Sequence, residues 1–126
     1  MNSITLKPEL TELYVLNEFI LDKLPKEDLQ VNLIVEEIFV NIVNYSKTDF
    51  ITVNVEYNKP ILTLEFIDNG FEFNPLLKED PKDPETIDEA QIGGLGIFLT
   101  KEMSDELYYH YTNGENHLKI IKKVEQ

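Results

Sequence analysis

Cysteine and arginine are both absent from this chain, and histidine occurs only twice, at His110 and His117. Without thiols there is no disulfide framework, no thiolate nucleophile and no cysteine-based zinc site, and two histidines are too few for a His-rich metal cluster. Without arginine the chain has no arginine finger and no bidentate guanidinium clamp of its own. The basic residues number 11, all lysines, against 24 acidic ones, which leaves a formal charge of -13. That balance disfavours binding to nucleic-acid phosphates and unassisted docking on an anionic membrane. Long apolar runs are missing too. No window approaches the roughly 20 apolar residues that span a bilayer, and Met1 to Lys7 shows no basic segment leading into an apolar one. The expectation is a soluble, reduced, cytoplasmic protein.

What is present suits one compact domain over residues 1–126, with 42% hydrophobic residues; a chain of this size hides roughly two thirds of its unfolded surface. Ile4 to Lys7 reads as a short strand ending at Pro8, and Leu10, Leu13, Leu16, Ile20 and Leu24 follow at helical spacing. Pro25 breaks that helix. A second, nearly all-apolar run from about Lys26 to Tyr45 reads as the most buried helix. Phe50 to Tyr57 and Ile61 to Ile67 form a β-hairpin around Asn58, Lys59 and Pro60. Leu77 to Gln91 turns polar, acidic and proline-bearing, a loop long enough to serve as a lid over about residues 76–92. Beyond it, Ile97 to Met103 shows helical spacing, then Leu107 to Tyr111 and His117 to Val124 read as strands around Asn113 and Gly114. This order predicts an α+β fold: two layers, a mixed, mostly antiparallel sheet, and helices on one face.

Three constellations stand out. On the buried helix, Glu37, Asn41 and Asn44 share a face and form a polar stripe. Either that stripe is a narrow solvent-facing edge, or a polar ligand meets it, because desolvating those groups without partners costs several kcal/mol. After the second hairpin strand comes Asp68-Asn69-Gly70-Phe71. These residues suit an ordinary turn; equally, an aspartate at a strand's carboxyl end, followed by a glycine that leaves room for a flat ligand, can receive an exocyclic amine. Finally Gly93, Gly94 and Gly96 precede a helix. They form either a hinge with a cap or a set of backbone N–H groups facing phosphate oxygens, but neither a dinucleotide fingerprint nor a P-loop.

Taken in order and spacing, the three sets resemble the GHKL ATPase/kinase superfamily and, within it, the bacterial anti-sigma-factor serine/threonine kinases. Glu37-x-x-x-Asn41 is similar to that family's N box, Asp68-x-Gly70-x-x-Phe73-x-Pro75 to its first glycine box and Gly93-Gly94-Leu95-Gly96-Ile97 to its second. The resemblance implies a Bergerat-type α/β sandwich with ATP between the helices and the lid. It implies that Asn41 coordinates Mg²⁺, that Asp68 accepts the adenine amino group above Gly70, and that Gly93, Gly94, Leu95 and Gly96 present N–H groups to the phosphates. It also implies that Glu37 is the general base. Histidine kinases usually carry Asn at that position, whereas a hydroxyl nucleophile gains from a carboxylate that takes its proton.

The implied substrate is a Ser or Thr of an anti-anti-sigma (STAS-domain) protein, with a sigma factor as a further partner and a homodimer as an option. Two departures remove positive charge near the phosphates. Tyr45 stands where a basic residue is common, and Gln91-Ile92 precedes the second glycine box without an arginine. Lys101 is a candidate substitute, or else an exposed helix lysine. The alternative function is an ATP-binding regulator that sequesters a partner with little or no phosphoryl transfer.

Overall fold

A computed structural model describes residues 2–77 and 95–124. Five strands, β1 (Asn2–Leu6), β2 (Ile51–Asn58), β3 (Ile61–Asp68), β4 (Glu106–Thr112) and β5 (Glu115–Lys123), make one sheet in the order β1-β2-β3-β5-β4. Every pairing is antiparallel. The parallel member that a mixed sheet would contain is therefore not present among the described strands. The long connection from β3 to β4 returns the chain so that β5, not β4, lies against β3.

Alternation along the strands produces the two faces. Ile51, Val53 and Val55 on β2, Leu62, Leu64 and Phe66 on β3, and Leu118 and Ile120 on β5 all point to one side and are buried. Against them pack Leu16 and Ile20 of α1 (Leu13–Leu21) and Val31, Ile34, Val35, Ile38 and Phe39 of α2 (Leu29–Tyr45). The third helix, α3 (Leu95–Met103), lies against α2. The opposite face of the sheet carries polar side chains, including His110 and His117, cross-strand partners whose rings stack 4.5 Å apart.

Helix boundaries differ from the sequence reading for local reasons. The apolar spacing from Leu10 begins as a 3-10 turn over Leu10–Glu12 before α1, which stops at Leu21, so Leu24 enters the core from beyond the helix. The second helix starts at Leu29 rather than near Lys26. Asp28 has extended backbone and its carboxylate accepts the Val31 N–H at 2.9 Å, an N-cap that sets the first turn. In the β4–β5 turn, Asn113 and Gly114 both adopt positive φ, as a two-residue hairpin requires.

Candidate functional site

The buried face of the sheet is hydrophobic through its middle rows and polar at its ends, with Lys122 at one end and Asp68 and Asn116 at the other. At the Asp68 end the register aligns Ile51, Asp68, Asn116 and Tyr111. Asp68 is 4% exposed and Asn116 6% exposed, so both need partners. Three donors converge on Asp68 Oδ1: the Ser46 hydroxyl at 2.5 Å, the Gly70 N–H at 2.9 Å and the Asn116 amide at 3.1 Å. None of these bonds engages Oδ2, which leaves that oxygen as an acceptor on a residue that lines the pocket.

Asn116 uses its whole amide. Besides Asp68 it donates to the Phe71 carbonyl at 2.7 Å, and its oxygen accepts from the Phe73 N–H at 3.0 Å and the Tyr109 hydroxyl at 2.5 Å. Burial, foremost, raises the Tyr109 phenol above its ordinary value, a proton-retaining shift that suits a donor.

The Asp68-Asn69-Gly70 segment is thus more than a turn. Asp68 faces the pocket. Asn69 ties the segment to the α2–β2 connection, its side-chain oxygen lying 2.7 Å from the Thr48 hydroxyl and accepting the Asp49 N–H at 2.8 Å. Gly70 sits where a Cβ would come within 1.8 Å of Ser46 Oγ and 2.1 Å of the Ser46 carbonyl oxygen. The room that this glycine leaves is therefore filled by the end of α2, and Phe71 N–H closes the contact by donating to the Ser46 carbonyl at 2.9 Å. Gly70→Ala is expected to cost about 1–3 kcal/mol of stability through this overpacking. Urea denaturation measures that cost, and an unchanged midpoint would contradict the packing.

Above this floor a pocket opens, lined by Asn41, Tyr45, Asp68, Phe71, Phe73 and Tyr109 among others. The space that the described residues enclose is small, about 30 Å³, and it opens to solvent. Aromatic and apolar walls with one buried carboxylate on the floor suit a flat, weakly polar ring that donates one hydrogen bond.

Of the polar stripe on α2, Asn41 lines the pocket, Glu37 is half-buried one turn earlier, and Asn44 is exposed. Burial, and secondarily the neighbouring Glu36 carboxylate, raise the pKa of Glu37 above the ordinary glutamate value. Leu95 and Gly96 begin α3, so that helix's N–H groups start at the second glycine box. Gly93, Gly94 and the expected lid lie outside the described residues. Lys101 falls in the last turn of α3, about 7.5 Å along the axis from Gly96 at the usual helical rise.

Sequence reasoning missed Ser46, Tyr109 and above all Asn116. The last was detectable: counting back by twos from the inward-facing Ile120 and Leu118 places a polar amide on the core face, which calls for a buried partner.

An open antiparallel sheet under a helix layer, with an acidic residue at the end of its central strand facing a pocket beside α2, defines a GHKL-type nucleotide-binding fold. The family model described as histidine kinase-like ATPase domain matches residues 10–122, and the chain belongs to that family of ATP-binding, kinase-like domains. Among solved structures, the Acinetobacter baumannii histidine kinase AdeS is similar in fold, with a TM-score of 0.54 and 12% identity over 100% of this chain and 69% of that one. No curated protein sequence matches. Among the described residues, no helix is long and apolar enough to cross a membrane.

Proposed function

We propose that this domain is a Mg-ATP-dependent serine/threonine protein kinase of the anti-sigma-factor type, acting on a Ser or Thr of a STAS-domain anti-anti-sigma protein. The observation that carries the reading is Glu37: a half-buried carboxylate, made more basic than an ordinary glutamate, one helical turn before the pocket-lining Asn41. An imidazole nucleophile has no need of such a base; a hydroxyl does.

In this reading Asp68 Oδ2 accepts a hydrogen bond from the exocyclic amine of adenine, while Tyr45, Phe71 and Phe73 enclose the ring. Asn41 has no hydrogen-bond partner among the described residues, and no group of three or more metal-binding carboxylates and histidines is assembled there. A lone amide oxygen fits Mg²⁺, which takes one or two protein oxygens and completes its shell with phosphates and water. Bound there, the ion would neutralise phosphate charge. Glu37 takes the proton as the substrate oxygen bonds to the γ-phosphorus, the bridging P–O bond breaks and ADP leaves. The N–H groups that open α3 at Leu95 and Gly96 face the phosphate end.

Purified domain, radiolabelled ATP and a STAS-domain protein are sufficient for the test. Acid-stable label on Ser or Thr of the STAS protein is the expected result; acid-labile label would indicate phosphohistidine and defeat the reading. One observation favours a second reading, an ATP-binding regulator that sequesters its partner: no basic side chain is among the described residues lining the pocket. Tight ATP binding with no transfer to the STAS protein is the outcome that reading requires.

A further inference from the structure

A second concavity lies away from the nucleotide pocket, on the outer side of the helix layer. It is lined by Leu10, Leu13 and Tyr14 with Asn17 and Glu36, and encloses about 530 Å³, open solvent included. The 3-10 turn, α1 and α2 each contribute to it. Leu13 also packs against the core, but Leu10 is 52% exposed and Tyr14 81% exposed, whereas the buried stripe of α1 is Leu16 and Ile20. Its one charged lining residue is acidic. Glu36 is exposed at the groove, Glu9 and Glu18 are exposed neighbours in sequence of its lining residues Leu10 and Asn17, and no lysine is among the described residues that line it.

We propose that this groove docks a basic, amphipathic segment of a protein partner, with an apolar side chain seated between Leu10 and Tyr14 and a lysine or arginine paired with Glu36. Charge complementarity decides the occupant. A second copy of this chain, with its charge of -13, would bring a strongly acidic surface against Glu36, and an anionic membrane would meet the same repulsion. An exposed tyrosine flanked by leucines is the kind of anchor that dominates protein recognition.

Glu36 gives the groove a link to the chemistry. It is the residue next to Glu37, and its charge is the second cause of the raised Glu37 pKa. A partner cation that neutralises Glu36 lowers that push, so docking increases the fraction of Glu37 in the deprotonated form. This coupling rests on Glu37 being the base, whereas the docking itself does not.

The test uses the full chain and a synthetic helical Lys/Leu peptide as probe, with an acidic Glu/Leu peptide as control. Tyr14→Ala and Glu36→Lys are each expected to weaken Lys/Leu binding about tenfold, the size of one lost anchor. ATP affinity should not change in Tyr14→Ala. The reversal Glu106→Lys, on the far edge of the sheet, should have little effect. Equal weakening by Glu106→Lys would mean diffuse charge attraction and overturn the proposal, as would equal binding of the acidic peptide. A concentration-dependent dimer abolished by Tyr14→Ala would make the face a self-interface and overturn it too. For the coupling, the Glu37 carboxyl signal is followed by NMR titration. Its midpoint should fall on adding the Lys/Leu peptide to the wild-type chain and stay fixed in Glu36→Gln. A kinase-negative protein that still binds the peptide through Tyr14 would separate failure of the proposed activity from failure of the groove.

Discussion

Glu37→Gln is expected to slow phosphoryl transfer by about 10²–10⁴-fold, the usual contribution of a positioned general base, while ATP affinity stays near that of the unmodified domain. The isosteric amide keeps the shape of α2 and cannot accept the hydroxyl proton. In the unmodified protein the turnover rate should rise with pH through a midpoint above the ordinary glutamate range, because burial and then Glu36 raise the Glu37 pKa. That limb should vanish in the variant. The effect on stability has the opposite sense. The folded state holds this proton to a higher pH than the unfolded chain does, so stability falls as pH rises through the interval between the two values. At neutral pH the glutamine variant should therefore be at least as resistant to urea as the parent. A variant that loses activity and also unfolds readily would point to a structural role instead.

Asp68→Asn is expected to reduce ATP affinity by about 100-fold or more, since a site built around one acceptor strongly rejects its mismatch. The three donors from Ser46, Gly70 and Asn116 all address Oδ1. An asparagine oxygen can take that place, which leaves the amide nitrogen facing the pocket as a donor against another donor. The fold is thereby preserved and recognition reversed. Asp68→Ala is a harsher change that strands three buried donors at about 1–3 kcal/mol each. Asn41→Ala should instead remove the part of ATP affinity that depends on Mg²⁺. Calorimetry with and without the ion distinguishes the two sites, and equal binding by all the variants would refute both assignments.

The elements of the fold were largely legible because their signals are local. Enrichment in β-branched and aromatic residues marked β2 and β3, and Asn113-Gly114 marked the last hairpin. Helix starts were read less well, since Asp28 outweighs the proline spacing that suggested a start near Lys26. At the site, Glu37, Asn41 and Asp68 stood out as polar residues in apolar surroundings. Their supports did not. Ser46 and Asn116 become informative only once the strand register places them beside Asp68, and the value of Gly70 depends on the carbonyl of a residue 24 positions earlier. Contacts between distant segments leave no periodic trace in a single sequence.

The convergence on Asp68 also bears on how the molecule assembles. Its Oδ1 takes one donor from 22 residues upstream and another from 48 residues downstream. The pocket floor thus has no existence in any partial chain that contains the family motifs but has not yet docked β5 onto β3. Ligand recognition therefore requires the long-range pairing of β5 with β3, as a report that the sheet has closed. A nucleotide that binds only this completed arrangement adds its own affinity to the resistance of the whole sheet against opening. Amide exchange in β3 and β5 should slow together when ATP is added, as one cooperative unit.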